Sequence, residues 1–104
     1  MSIVVLITAK NAAQAKKIGQ ALVQAHLIAC VNIVPKVASL FWWEGKTEAS
    51  LEALMILKTQ QRCFSKIVTM VKKLHSYQTP EIIALPIIDG EKTYLKWLKA
   101  ACRG

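Results

Sequence analysis

Residues 40–46 read Leu40-Phe41-Trp42-Trp43-Glu44-Gly45-Lys46, and this stretch decides the fold because it sets a turn between two long strand-like segments. Gly45 supplies the positive φ that a tight hairpin turn needs. Residues 29–43 before the turn and 46–59 after it are rich in β-branched and aliphatic side chains. Pro35 predicts a bulge or an edge position, because proline cannot donate to a strand ladder. The sequence therefore predicts one long β-hairpin with its tip at Glu44-Gly45.

The predicted hairpin is longer than one small domain can cover. Its protruding part would expose a run of large apolar side chains, namely Leu40, Phe41, Trp42 and Trp43. Aromatic side chains give large contact area at little entropic cost, which favours an interface over ligand stacking. Trp42 and Trp43 are therefore predicted interface residues, although neighbouring strand positions point to opposite faces and need not share one role. A hydrophobic content of 54% in 104 residues also favours burial between subunits.

The segments on either side of the hairpin predict the remaining elements. Residues 3–9 form an unbroken aliphatic run typical of a central strand, and Asn11 is a predicted N-cap for a first amphipathic helix. A second helix is predicted over 61–75 and a fourth strand over 81–88. Asp89-Gly90 then turns the chain into a third helix that carries Tyr94, Trp97, Leu98 and Ala101. The order predicts an α+β fold, a ferredoxin-like βαββαβ sandwich with an extended hairpin and an added C-terminal helix, as a single domain over 1–104.

The net charge of the chain bears on whether it has a nucleic-acid partner. The chain has 14 Lys and Arg against 6 Asp and Glu, for a formal net charge of +8. Its lysines are spread over three predicted helices, which favours solvated outer faces over a groove for polyanions. RNA-recognition modules of this fold stack bases on strand aromatics, whereas strands one and three here are aliphatic. We therefore expect no nucleic-acid partner.

The cellular compartment is predicted from cysteine usage and the N-terminus. Cysteines lie at 30, 63 and 102, an odd count without CxxC spacing, which argues against a disulfide framework and a structural zinc site. The chain begins as a strand, without a signal-peptide pattern or an apolar stretch long enough to cross a bilayer. The sequence thus predicts a soluble cytoplasmic protein with no membrane partner.

Five ordered stretches run through the whole chain and carry a family resemblance. They are Ala29-Cys30-Val31-Asn32-Ile33, Trp43-Glu44-Gly45-Lys46, Leu57-Lys58-Thr59, Tyr77-Gln78-Thr79-Pro80-Glu81-Ile82-Ile83 and Tyr94-Leu95-Lys96-Trp97-Leu98. Together they resemble the CutA divalent-ion tolerance family. The resemblance implies a homotrimer similar in architecture to the PII signalling proteins and a link to tolerance of divalent metals, copper above all. It implies no catalytic reaction. Many relatives have a proline where this chain has Ser76, so the loop after His75 should be less rigid.

Two residues are predicted metal ligands. A Cys30 thiolate is a soft ligand suited to Cu(I), and the resemblance places a cysteine in this motif. The alternative is that Cys30 is a small buried hydrophobe, as free cysteines in apolar strands usually are. His75 is a metal-capable imidazole at the predicted end of helix two, where it could instead only interact with the helix dipole. Cys63 and Cys102 lie outside the family motifs.

A ligand-binding cluster is predicted near the loop after helix two. His75, Tyr77 and Glu81 are expected to converge there, with Lys58 reaching in from the end of strand three. An imidazole, a carboxylate and a fixed cation together could bind an anion or a metal–anion complex. The predicted cofactor is copper or another divalent cation, and no organic cofactor is indicated.

Two other classes of function remain open at this point. One is a PII-like sensor or adaptor that binds an anionic metabolite at subunit clefts through Lys58. The other is an enzyme of unknown reaction, which is disfavoured because no nucleophile and base can be paired and no glycine-rich phosphate loop is present.

Overall fold

The computed structural model describes residues 1–104 and contains four strands and three α-helices. In chain order they are β1 Ser2–Ala9, α1 Ala12–Gln24, β2 Cys30–Trp43, β3 Lys46–Gln60, α2 Phe64–Leu74, β4 Ile82–Pro86 and α3 Lys92–Ala101. The strands form one antiparallel sheet in the order β2-β3-β1-β4. This is the βαββαβ arrangement with an added C-terminal helix, so the predicted ferredoxin-like α+β fold is confirmed.

The long hairpin forms as predicted. Glu44 and Gly45 both adopt positive φ, 49° and 77°, and close the turn between Trp43 and Lys46. The ladder between β2 and β3 shifts register between Val34 and Val37, around Pro35, because proline has no amide hydrogen to donate to the ladder. β1 pairs with β3 only from Ala53 to Gln60, so the remainder of the hairpin extends beyond the sheet as a two-stranded ribbon.

The predicted boundaries need small corrections. A 3₁₀ turn over Gln61–Cys63 precedes α2, as is common at helix N-termini, and no side chain caps it. β4 spans Ile82–Pro86 instead of residues 81–88, and beyond Pro86 the Ile87 amide still donates to the Ser2 carbonyl at 3.1 Å. The predicted N-cap of α1 is present, with the Asn11 side chain accepting from the Gln14 amide at 2.9 Å.

The two faces of the sheet differ. Alternate residues of β1 and β3 are fully buried against the helices and belong to a core of 17 buried residues that also includes Ile18, Leu22, Ile67 and Val71. The intervening residues face the other side, which we call the open face. In the paired registers it carries the apolar side chains of Val4, Leu6, Val34, Leu54, Ile56, Ile83 and Leu85. No element of this chain covers it fully: Val4, Leu6, Leu54 and Ile56 are half-buried, and Ile83 and Leu85 remain 50% and 45% exposed.

The helices give no candidate for a transmembrane segment, since none combines the length and the apolar character that crossing a bilayer requires.

Candidate functional site

His75 lies where α2 ends and is nearly fully buried. Its Nε2 lies 2.7 Å from the carbonyl oxygen of Thr8 at the end of β1, and its Nδ1 accepts from the Tyr77 amide at 3.0 Å. Because Nδ1 accepts, Nε2 carries the proton and donates to Thr8. Both ring nitrogens are thus engaged with the backbone. A metal could bind His75 only by displacing one of these hydrogen bonds. Its predicted role as a metal ligand requires that displacement.

Tyr77 links the same loop to the sheet. Its hydroxyl donates to Glu52 Oε2 at 2.8 Å, and its ring packs on that of His75 with centroids 4.7 Å apart. Burial, followed by the hydrogen bond and the negative charge of Glu52, raises the pKa of Tyr77 to about 12. Glu52 itself is only 8% exposed. The structure therefore joins His75, Tyr77 and Glu52 into one chain of contacts.

The sequence analysis missed Glu52. A carboxylate immediately before the aliphatic run Ala53–Leu57 is unusual for a strand that becomes buried, and this was the available signal. Glu81, which was predicted to join the cluster, lies one residue before β4 at the same end of the sheet. Its side chain is exposed and makes no hydrogen bond within the chain.

Lys58 does not reach this cluster within one subunit, so the predicted convergence stays a prediction that would need a second subunit. It lies opposite Cys30 in the β2–β3 ladder, and its ammonium donates to the Asn32 side chain. Lys58 and Glu52 are six positions apart on one strand, which separates them by about 20 Å at 3.3 Å per residue. Lys58 and His75 thus lie at opposite ends of the sheet.

Cys30 shares the Lys58 end of the open face. It is half-buried, and its Sγ lies 3.6 Å from the Tyr94 hydroxyl of α3. This contact, more than burial, raises the pKa of Tyr94. Tyr94 in turn packs on Trp97 with ring centroids 5.5 Å apart. Cys30 is therefore more accessible than its apolar strand suggested, and it has aromatic neighbours.

The remaining cysteines differ from Cys30. Cys63 and Cys102 are fully buried at the other side of the sheet, where burial raises the pKa of the Cys102 thiol. No group of three or more His, Cys, Asp or Glu side chains in the chain could hold a metal ion. A metal at Cys30 would consequently need further ligands from outside this chain.

Trp42 and Trp43 lie on the ribbon that extends beyond the sheet. They are 76% and 51% exposed, and Leu40 is 84% exposed. Such a cluster of large apolar side chains in solvent is typical of an interaction surface. Their predicted role at an interface stays a prediction.

The hydrogen bond between Tyr77 and Glu52 predicts a titration difference. The Tyr77 phenol should ionise near pH 12 in the folded protein and near its usual 10.0 after unfolding. Because the folded state holds this proton more tightly, the stabilisation is complete below pH 10 and is lost as the pH rises towards 12. Subtracting the phenolate absorbance titration of Tyr77→Phe from that of the parent gives the curve of this one residue. A midpoint near 10 with intact circular dichroism would mean that the bond is absent in solution.

Comparison with known proteins supplies a consistent set of relatives. Residues 3–101 match the family model described as CutA1 divalent ion tolerance protein. A divalent-cation tolerance protein CutA from Thermus thermophilus is 46% identical over 99 residues, which cover 95% of this chain and 96% of the relative. Protein CutA 1, chloroplastic, from Oryza sativa is 43% identical over 98% of this chain, but the chain spans only 58% of that relative.

Solved structures agree with these sequence matches. The divalent cation tolerance protein from Thermus thermophilus superposes with a TM-score of 0.97 at 44% identity, covering 99% of this chain and 100% of the other. A structure from Archaeoglobus fulgidus, described as a periplasmic divalent cation tolerance protein, gives a TM-score of 0.95 at 42% identity over 99% of this chain and 100% of that one.

Proposed function

The chain belongs to the CutA1 divalent ion tolerance protein family, and on that premise we propose that it works as a homotrimeric, non-enzymatic protein of divalent-cation tolerance. Its sites would lie between subunits and bind copper or another divalent cation. The open face is the observation that carries this proposal. An uncovered apolar sheet face next to a ribbon with exposed Trp42 and Trp43 is more apolar surface than a small monomer normally leaves in water.

The shape of the subunit also supports this proposal. The molecule measures 44 × 26 × 22 Å. Its longest dimension matches the length of β2 and β3, which continue from the sheet into the ribbon. A two-stranded ribbon is marginally stable alone, so its aromatic side chains need a surface to pack against. A neighbouring open face offers that surface. A closed trimer would bury both features at once.

Cys30 is a better candidate metal ligand than His75. Its thiol is half-exposed and bonded only weakly to Tyr94, whereas both nitrogens of His75 are occupied. A thiolate is suited to Cu(I), and the remaining ligands would come from a second subunit or from a small molecule. Binding there would leave the buried cysteines unaffected.

We expect Cys30→Ser to weaken Cu(I) binding at least ten-fold in a competition titration with a Cu(I) chelator. Cys63→Ser and Cys102→Ser are the matched controls and should bind like the parent, because both thiols are buried. Equal Cu(I) affinity in all three variants would contradict the thiol site and leave Cys30 a structural residue.

A PII-like sensor or adaptor is the second candidate. The half-buried Lys58 ammonium contacts only the neutral Asn32 side chain, and the aromatic pair of Tyr94 and Trp97 lies on the nearby helix. A cation beside exposed aromatic rings fits an anionic metabolite with a flat group. A thermal-shift screen of organic acids and nucleotides, with and without copper, separates this function from metal binding.

We propose the cytoplasm as the location, on the strength of three free thiols that a reducing compartment would preserve. Similar proteins include one from rice described as chloroplastic and one from Archaeoglobus fulgidus described as periplasmic. The described locations of similar proteins therefore differ from one another.

A further inference from the structure

The open face carries one acid and one base. Between positions 52 and 60 of β3, a span that starts at the last ribbon residue before the β1 pairing begins at Ala53, Glu52 and Lys58 are the charged side chains that share this face with Leu54 and Ile56. Glu52 accepts a hydrogen bond from Tyr77, and Lys58 donates one to Asn32. Both partners are neutral. Each charge is therefore without a counter-charge in its own subunit.

These two charges cannot neutralise one another within one chain. They lie six residues apart on β3, at opposite ends of the sheet, and about 20 Å separates them. Glu52 is already only 8% exposed in the subunit, and covering the open face removes the remaining water from the half-buried Lys58. Desolvating an unpaired carboxylate or ammonium costs several kcal/mol, so whatever covers this face must bring a compensating charge to each end.

We propose that a second copy of this chain supplies both charges, with Glu52 of one subunit pairing with Lys58 of the next. The inference rests on the proposed trimer and names the contact that closes it. A two-fold dimer would pair these charges equally well, but in the proposed trimer the contact is head-to-tail. Such a contact leaves no charge unpaired only when the subunits close into a ring.

The same contact would build a composite site at each boundary. It brings Tyr77 and His75 of one subunit, through Glu52, next to Lys58 and Cys30 of the neighbour. These groups are held apart in a single chain. A cleft containing a carboxylate, a thiol and an ammonium from two subunits offers ligands for a cation and a counter-charge for an anion bound with it. Ligand binding would then depend on correct ring closure.

A charge-swap experiment tests the pair. Glu52→Lys and Lys58→Glu should each raise the concentration at which the assembled protein dissociates at least ten-fold, because each places like charges at every boundary. The double variant restores opposite charges and should return to within about three-fold of the parent. Sedimentation at several concentrations measures all four proteins. The control double variant combines Glu52→Lys with Lys17→Glu, a change at an exposed position of α1. It should show no recovery of assembly.

The outcomes separate the inference from the proposed trimer. Sites about 20 Å apart within one chain have independent effects, so a double variant as weak as the product of the two singles would overturn the pair while the trimer stands. A monomeric parent would overturn the trimer itself. If Glu52→Lys does not fold, Glu52→Gln and Lys58→Met replace the swap. Adding the second of these changes to the first should then weaken assembly less than two-fold further, and a full additional loss would overturn the pair.

Discussion

Replacing Ile56 by Glu should convert the assembled protein into monomers. Ile56 lies at the centre of the open face, paired with Leu6 on one side and Asn32 on the other. A carboxylate there would be buried without a counter-charge wherever a second subunit covers the face. The cost is about 3 kcal/mol or more per interface, which weakens each contact by about 100-fold or more.

The single subunit should tolerate this change, because Ile56 is only half-buried in one chain and its side chain faces away from the core. Size exclusion with light scattering gives the mass, and circular dichroism checks the fold. Gln20→Glu, which adds the same charge to an exposed position of α1, is the control and should remain assembled. An Ile56→Glu protein that keeps the parent's mass would contradict assembly through the open face.

Local sequence features were sufficient to predict most of the fold. The Glu44-Gly45 turn, the disruption at Pro35 and the Asn11 cap each follow from the backbone preferences of one or two residues. Alternating buried and half-buried positions in β1 were not visible in its sequence, because both faces of that strand are aliphatic. An apolar face that the subunit leaves uncovered has the same composition as one that contacts the core.

The candidate site was less predictable for a geometric reason. Lys58 was expected to reach the His75 cluster from the end of strand three, but within one subunit that end of the strand lies at the far end of the sheet, about 20 Å from Glu52 at 3.3 Å per residue. Glu52 was missed because its significance comes from Tyr77, 25 positions away, whose hydroxyl reaches it across the end of the sheet. Contacts between elements of this kind require the register of the ladder, which a single sequence does not supply.

The structure also favours a structural role for His75 over the predicted metal site. Its ring connects the end of α2 to the end of β1 and orients the Tyr77 loop through two hydrogen bonds. Ser76 stands where a proline would have fixed the backbone, so these bonds do more to order the loop than they would in a stiffer chain. A ring held in this way positions Tyr77 for Glu52.

His75→Ala should therefore destabilise the protein even without any ligand. The change removes both hydrogen bonds and leaves a cavity beside the Thr8 carbonyl, and losing buried hydrogen-bond partners costs about 1–3 kcal/mol each. For a domain of this size, the combined loss of about 2–6 kcal/mol lowers the melting temperature by at least about 8 °C. Glu81→Gln is the matched control from the same loop region and should melt like the parent, because its side chain is exposed and without hydrogen bonds in the subunit. Differential scanning calorimetry measures both, and copper titration of the same proteins completes the comparison. Unchanged melting of His75→Ala together with lost copper binding would reverse the assignment, since it would mean that the imidazole serves the ligand and not the fold.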